Sequence, residues 1–397
     1  MRLLIKNGNI QTMAGMTLSP GDLLIEDGKI KRIEKNIEVE DSDDMTVWDV
    51  KGCNVLPGFI ECHCHAGITE ERKGSSGEDA NESTDPITPY LRALDAIAPM
   101  DAAFTKAVQA GITTVMVGPG SSNPIGGQFL LMKTAGSRVI DDLVVKQPSA
   151  MKLAFGENPK CMFGDKDKMP STRMGIAALI REELTKGQQY WKEKKAAAKK
   201  KEPWKQEFRK ECWIPVFEKE IPLKCHVHRT DDIMTAIRIA KEFDVNLTLD
   251  HCSEGHLIAE EIKAAGFPAI VGPDLASRSK IEVENMDFKT AGVLSKAGVL
   301  LSITTDHPVT LIQSLPLCAG LAVKHGLDME EGLKAITINA AKICGISHLV
   351  GSLEVGKDAD ITIYQGSPLE VFSQCMGTII KGKVYYNYLD EKQKRIE

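Results

Sequence analysis

The sequence of 397 residues has no uncharged apolar run long enough to cross a bilayer, which argues against a transmembrane helix. Its first apolar segment, residues 1–8, is too short for the hydrophobic region of a signal peptide. The ten cysteines include no CxxC pair, and a chain of this length does not depend on a disulfide framework. We therefore predict a cytoplasmic protein with no membrane partner.

The sequence also lacks a strong excess of positively charged residues. The formal net charge of −6 argues against a nucleic-acid partner. No GxGxxG motif follows the first strand predicted for the central region, and the glycine-rich residues 118–128 lack the Lys-Ser/Thr of a phosphate-binding loop. We interpret that segment as a turn, and the sequence carries no signal for nucleotide binding.

Short β-strand patterns are present at both ends of the chain. Those near the N-terminus are separated by turn residues, among which Asp27-Gly28 is a strong hairpin signal. Residues 361–364 and a hairpin at residues 378–386 have the same character. Since neither piece is large enough to form a core alone, we predict one small β-sandwich domain from residues 1–55 plus 350–397.

Strand and helix patterns alternate between the two ends, which is typical of an α/β fold with parallel strands and crossover helices. The strand candidates are residues 54–56, 113–117, 150–155, 223–227, 246–249, 269–271 and 299–303. With an eighth strand assumed, they predict a (β/α)8 TIM-like barrel over residues 56–349. A doubly wound sheet is the alternative, which the missing dinucleotide motif disfavours.

A lysine-rich segment around residues 175–212 stands apart from this alternation. Lysine and alanine favour helix, and Pro203 is expected to end it. We interpret the segment as a solvated helical insertion in a barrel loop, with a lid or an oligomer contact as the alternative.

Histidines mark the ends of several predicted barrel strands. His63 and His65 alternate at the end of an apolar run, so their side chains point the same way. His226, His251 and Asp306 close later strands. Catalysis in such barrels takes place at the carboxyl ends of the strands, and neutral imidazole is the commonest metal ligand in proteins. The pattern predicts a catalytic metal site with an open coordination position.

A carboxylate beside a metal-activated water can act as general base. Asp306 is the natural candidate because it follows a strand. The alternative role for Asp306 is to cap the next helix.

The chain resembles the amidohydrolase superfamily, and most closely its branch of imidazolonepropionase-related amidohydrolases. The matching segments are residues 57–65 (PGFIECHCH), 111–115, 226–228 (HVH), His251, 305–308 (TDHP), 337–341 and 351–360 (GSLEVGKDAD). The resemblance implies that His63, His65, His226 and His251 are metal ligands, and that Asp306 is both ligand and general base.

The residue that would bridge two cations is ambiguous in this sequence. Many members of the family bridge two cations with a carboxylated lysine, and others use a glutamate just past the same strand. This chain offers both Lys152 and Glu157. We predict Glu157 as the metal ligand because it follows the strand end, whereas Lys152 lies within the strand pattern. If neither residue bridges, the site is mononuclear.

Three further residues are predicted to contact the substrate. His228 and Arg229 follow His226, and a guanidinium can bind a carboxylate bidentately. The alternative is a hydrogen-bonded surface pair. His307 follows Asp306 and is open to the same two interpretations.

The site predicts a hydrolase that cleaves an amide or cyclic-amide C–N bond with a metal-activated hydroxide and Asp306 as general base. A mononuclear deaminase of an aminated ring is the alternative, and a non-enzymatic scaffold is disfavoured because every metal-ligating position is filled. One or two zinc ions suit the mixed N/O ligands, with iron or manganese as alternatives. A small-molecule substrate is expected, its identity is not encoded by the fold, and a homo-oligomer remains open.

Overall fold

The computed structural model describes residues 2–39, 45–71 and 74–390. Residue 1 and residues 40–44 and 391–397 of the predicted small domain lie outside the described residues. The strands are β1 (Arg2–Gln11), β2 (Thr17–Glu26), β3 (Lys29–Glu34), β4 (Met45–Asp49), β5 (Asn54–Pro57), β6 (Phe59–Cys64), β7 (Ile112–Val117), β8 (Ile125–Lys133), β9 (Val144–Ala154), β10 (Leu223–Val227), β11 (Leu247–His251), β12 (Ala269–Val271), β13 (Leu301–Ile303), β14 (Ile361–Gln365), β15 (Gln374–Ile380) and β16 (Lys383–Asn387).

The α-helices lie mainly between the strands of the central region. They are α1 (Ala102–Gln109), α2 (Ile140–Leu143), α3 (Glu157–Gly164), α4 (Arg173–Lys200), α5 (Phe208–Glu211), α6 (Ile214–Phe217), α7 (Thr230–Phe243), α8 (Ala259–Ala265), α9 (Thr290–Ala297), α10 (Leu315–Lys324), α11 (Met329–Ala335) and α12 (Ile338–Ile343). None of the helices in the described ranges combines the length and the apolar character needed to cross a membrane.

Strands from both chain ends form one sheet. Its order is β16-β15-β14-β5-β1-β2-β3, and β4 pairs with β1. The predicted α/β fold with a separate sheet from the chain ends is therefore confirmed. One strand assignment was wrong: residues 54–56 were expected in the barrel, but β5 pairs with β1 and β14 instead. The barrel begins at Phe59, directly after Gly58.

The second sheet is an eight-stranded, nearly closed barrel in the order β6 through β13. Seven of its strands fit the expected parallel arrangement, but β8 runs antiparallel to both β7 and β9. The expectation of purely parallel strands was wrong because only residues 118–124 connect β7 to β8. A parallel connection needs a dozen or more residues, so this short glycine-rich segment produces a reversal. The eighth strand, which the sequence left unassigned, is β8, and β6 takes the place of residues 54–56 as the first barrel strand.

Buried hydrogen bonds cross the gap between the first and last barrel strands. Glu61 on β6 accepts hydrogen bonds from the Thr304 hydroxyl at 2.6 Å and from the Thr305 backbone N–H at 2.8 Å. Burial raises the pKa of Glu61, although these hydrogen bonds act against that shift. The Thr304 hydroxyl oxygen also lies 2.7 Å from the His63 carbonyl oxygen. These contacts hold the segment after β13 against β6 and so bring Asp306 towards the histidines.

The lysine-rich segment forms the long helix α4, as its composition predicts. The Thr172 hydroxyl caps its N-terminus by accepting a hydrogen bond from the Gly175 backbone N–H at 3.0 Å. The helix ends at Lys201, which has a left-handed backbone conformation with φ 58°, two residues before Pro203.

A buried ion pair joins the two sheets. Lys133 at the end of β8 lies 2.7 Å from Asp360, which precedes β14, and the two side chains are 4% and 1% exposed. The second oxygen of Asp360 accepts a hydrogen bond from the Lys381 backbone N–H at 3.0 Å. Asp360 therefore neutralises a buried ammonium group and orients the hairpin between β15 and β16.

We expect Asp360→Asn to lower the free energy of unfolding by about 3–5 kcal/mol, because it leaves the Lys133 charge buried without a counter-charge. Denaturant-induced unfolding measures the change. Lys219→Ala is the control, since it removes an exposed ion pair to Asp244 and should change stability by less than about 1 kcal/mol. Equal effects of the two substitutions would contradict the assigned role.

Candidate metal centre

Two groups of metal-ligating side chains lie at the carboxyl ends of the barrel strands. The first group contains His63, His65 and Asp306, and the second contains His226, His228 and His251; within each group the ligand atoms lie within 4.8 Å of one another. Most of these side chains are buried. Five of the six metal ligands predicted from the sequence are therefore brought together in two groups.

Backbone carbonyls orient two of the imidazole rings. The Nδ1 atoms of His65 and His251 lie 2.7 Å and 2.8 Å from the carbonyl oxygens of Gly118 and Gly272. A carbonyl only accepts hydrogen bonds, so Nδ1 of each ring donates to it and Nε2 is the nitrogen left to face a cation. Burial lowers the pKa of His251 well below its usual value, so this ring is neutral. Both Nε2 atoms are ready to bind a cation.

A carboxylate orients His63 in the same way. Asp250 Oδ2 lies 2.6 Å from His63 Nδ1 and 3.1 Å from Lys224 Nζ, and all three side chains are buried. Asp250 Oδ1 accepts a hydrogen bond from the Thr248 hydroxyl at 2.8 Å. This network leaves His63 Nε2 as the free, lone-pair-bearing nitrogen.

We expect Asp250→Asn to weaken binding of the cation at His63 by about 10–100-fold, because an amide fixes the ring tautomer less firmly than a carboxylate does. Competition against a zinc chelator measures the affinity. Thr248→Val is the matched control, since Thr248 bonds the other oxygen of Asp250 and its loss should leave the affinity nearly unchanged. Unchanged affinity in Asp250→Asn would contradict a positioning role.

Asp306 points its carboxylate at two ring nitrogens. Its Oδ1 lies 3.1 Å from His65 Nε2 and 3.5 Å from His63 Nε2. Burial raises the pKa of Asp306, but the neighbouring groups, with His65 and Lys152 among them, outweigh burial and lower that pKa. The residue has φ 49°, in the left-handed region that few non-glycine residues adopt. Such strain is common at functional sites, and here it turns the carboxylate towards the histidines.

The donor set fits a divalent cation. Within the described part of the chain, the buried Nε2 atoms of His226 and His251 and the Oδ1 of Asp306 have no hydrogen-bond partner. Buried polar atoms normally have a partner, so these two nitrogens and this oxygen fit the ligand set of a cation. Nitrogen and carboxylate oxygen ligands suit zinc and related transition metals.

Lys152, rather than Glu157, lies beside the ligand groups. Lys152 is fully buried, and its Nζ is 3.4 Å from His63 Nε2. Burial lowers the pKa of Lys152 to about 8. Glu157 lies apart, where its Oε1 accepts a hydrogen bond from the Glu282 backbone N–H at 3.2 Å. The geometry thus favours Lys152 over Glu157, because a long side chain two residues before the end of β9 reaches the centre of the barrel.

A cavity of about 410 Å³ opens above the two groups. His65, His226, His228 and Asp306 line its floor. Its walls come from the loops after the strands and combine apolar residues with polar side chains, among them Asn81, Ser121, Asn158, Ser277, Ser279 and Lys280. This size suits a small organic molecule.

The three predicted substrate contacts occupy different environments. His228 lies in the cavity floor, and its Nδ1 is 2.8 Å from the Ser253 hydroxyl. Arg229 pairs with Asp231 near the surface and does not line this cavity. His307 is buried outside the cavity lining, where its Nδ1 accepts a hydrogen bond from the Ile312 backbone N–H at 3.2 Å. Of these residues, only His228 is placed to meet a ligand in the cavity.

Sequence reasoning did not identify Glu282, which lies in the segment between β12 and α9. Its Oε1 is 3.6 Å from His226 Nε2 and 3.9 Å from His228 Nε2. This segment contains no periodic pattern and no histidine, so the sequence offered no signal that Glu282 joins the site.

The barrel is nearly closed, and histidines and an aspartate lie at the carboxyl ends of its strands. Barrels of this class have their active sites at this end. The sequence model of the amidohydrolase family matches residues 54–385, and the chain belongs to this family. The protein is therefore an enzyme, and the resemblance drawn from its motifs is confirmed.

The curated relatives have different enzyme names. Amidohydrolase tasK of Hapsidospora irregularis is 26% identical over 399 residues, which span 92% of this chain but only 40% of the length of that relative. Dihydroorotase of Aquifex aeolicus is 24% identical over 449 residues, covering 99% of each chain. Imidazolonepropionase of Geobacillus kaustophilus is 47% identical over 74 residues, or 18% of each chain.

Solved structures show the same fold. An amidohydrolase from Thermotoga maritima MSB8 has a TM-score of 0.92 and 38% identity, covering 97% of this chain and 100% of that one. A prolidase complexed with N-methylphosphonate-L-proline has a TM-score of 0.62 with 16% identity, covering 98% of this chain and 100% of that one, and is similar in fold alone.

Proposed function

We propose that this protein is a metal-dependent hydrolase that cleaves an amide or cyclic-amide C–N bond of a small molecule. The observation that carries the proposal is the convergence of Asp306 and several imidazole rings at the floor of one cavity. Two adjacent ligand groups favour an amide hydrolase with two cations over the alternative, a deaminase with a single cation.

In this proposal His63, His65, His226, His251 and Asp306 would hold the divalent cations, and Lys152, once carboxylated, would supply the shared ligand in place of Glu157. A cation bound there supplies Lewis-acid polarisation of the scissile carbonyl and lowers the pKa of water. Burial lowers the pKa of Lys152, so its amine loses its proton more readily than an exposed lysine does. The neutral amine can then react with carbon dioxide to give a carbamate and one proton.

Asp306 has the second role of moving protons. Its carboxylate lines the cavity and is held ionised by its neighbours, so it accepts the proton that the attacking water loses. The same carboxylate returns this proton to the leaving nitrogen, which leaves as a neutral amine. The cavity floor around Asp306 keeps the carboxylate directed at the place where a substrate would lie.

A substrate screen tests the proposed activity. The purified protein is loaded with zinc, iron or manganese and incubated with N-acyl amino acids, dipeptides and cyclic amides. We expect hydrolysis of at least one class, with loss of turnover after chelation and recovery after metal is restored. Ammonia release from an aminated ring would instead identify a deaminase, and no turnover in any metal-loaded sample would support a scaffold. Zinc as the metal, a cytoplasmic location and a homo-oligomer stay predictions.

A further inference from the structure

The second ligand group contains more imidazoles than the first. His226, His228 and His251 form a tight cluster in which the ring centroids are 4.5–4.8 Å apart. The three side chains are buried, and their candidate ligand nitrogens lie within 4.8 Å of one another. The resemblance to the family accounted for His226 and His251 as ligands, and it left His228 as a substrate contact. The structure gives His228 the same access to a common point as the other two rings.

Glu282 adds a negative charge at the edge of this cluster. The side chain is 1% exposed, and its Oε1 lies 3.6 Å and 3.9 Å from the Nε2 atoms of His226 and His228. Both distances are too long for a hydrogen bond and are compatible with two ligands of one cation. The Glu282 carboxylate and the two imidazole nitrogens thus face one another at distances that exclude a direct hydrogen bond.

Neighbouring groups hold the Glu282 carboxylate in this orientation. Its Oε2 accepts a hydrogen bond from the Glu157 backbone N–H at 2.8 Å, and Oε1 lies 2.7 Å from Lys280 Nζ. Lys280 also donates to Asn158 at 2.8 Å. The carboxylate therefore needs no rearrangement to present Oε1 to the histidines, which lowers the entropy cost of binding a cation.

We infer that His226, His228, His251 and Glu282 together form a three-histidine, one-carboxylate site for a divalent transition-metal ion, next to the site at His63, His65 and Asp306. The inference rests on the proposed function and makes it more specific, because it assigns His228 and Glu282 as metal ligands. Imidazole and carboxylate donors select zinc, cobalt or nickel over magnesium or calcium. A cation in this site would have these four protein ligands in addition to the proposed Lys152 bridge.

Metal content of the full chain tests the inference without relying on turnover. Metal-stripped wild type, His228→Ala and Glu282→Gln are titrated with cobalt(II), and bound equivalents, affinities and visible absorption spectra are recorded. We expect two equivalents in the wild type. In each variant one equivalent should persist, and the other should bind at least about 100-fold more weakly, since even indirect partners of a ligand change affinity by about 10–100-fold.

The cobalt spectrum should also change in each variant, because ligand number and type set the absorption of the ion. Glu157→Gln is the matched control: it alters a neighbouring carboxylate that lies outside both ligand groups, and it should keep both equivalents. Circular dichroism verifies that each variant is folded.

Two outcomes separate this inference from the proposed function. If both variants bind cobalt with the stoichiometry, affinity and spectrum of the wild type, the inference is overturned while the hydrolase proposal stands. If the wild type binds no cation at all, the proposed function fails as well. Loss of an equivalent in Glu157→Gln but not in Glu282→Gln would transfer the ligand role to Glu157 and would also overturn the inference.

Discussion

Asp306→Asn should lower kcat by about 10²–10⁴-fold, the range expected when a general base is removed, without reducing the number of bound cations. Asparagine has the same shape and keeps one oxygen that can face His63 and His65, but it cannot accept a proton at neutral pH. Steady-state kinetics on a substrate found in the screen, together with metal analysis, measures both effects.

The control for Asp306→Asn is Asp231→Asn, which removes an aspartate paired with Arg229 near the surface. It should leave kcat within about 2-fold of the wild type, as expected for a surface substitution remote from the reacting atoms. Wild-type turnover in Asp306→Asn would refute the assigned base. Loss of both turnover and metal would instead show that its main role is to bind the cations.

Lys152→Ala should have the second large effect, a loss of roughly 10³-fold in turnover. A bound cation contributes several kcal/mol of transition-state stabilisation, and each 1.36 kcal/mol corresponds to about 10-fold in rate. The substitution also leaves a space beside His63 Nε2, where a small carboxylate such as acetate or propionate fits. Partial recovery of turnover by these acids is expected, because they replace the carbamate oxygens.

Lys224→Ala is the matched control for Lys152→Ala, since Lys224 is also a buried ammonium in the barrel interior but pairs with Asp250. Small carboxylates should not restore activity to that variant. Undiminished turnover in Lys152→Ala would contradict the bridging role. A comparable loss in Glu157→Gln, with recovery by carboxylates, would return the bridge to Glu157.

The positions of Lys152 and Glu157 show why sequence spacing alone does not reveal which side chain lies beside the histidines. The residue that follows a strand is the natural candidate in a linear pattern, and that criterion selects Glu157. In the structure Glu157 opens α3 and pairs with the Glu282 backbone, whereas Lys152 points into the barrel and its long side chain reaches His63. The length and direction of a side chain, which spacing does not report, decided the position.

The reversed strand β8 shows a similar limit. Alternation of strands and helices predicts crossover connections throughout, and residues 125–133 gave no strand signal distinct from the glycine-rich loop before them. Only the pairing of β8 with β7 and β9 reveals that the barrel is completed by an antiparallel strand. The length of a connection predicts its geometry only once both strand ends are known.

By itself, the sequence determined the α/β barrel, the sheet built from both chain ends and the identities of most side chains in the ligand groups. These features depend on local periodicity and short motifs, which a linear pattern contains. The tertiary structure alone decided which ring nitrogens carry lone pairs, that Lys152 lies beside His63, and that Glu282 faces His226 and His228. Those features depend on contacts between residues far apart in the chain, and only folding brings such residues within reach of one cation.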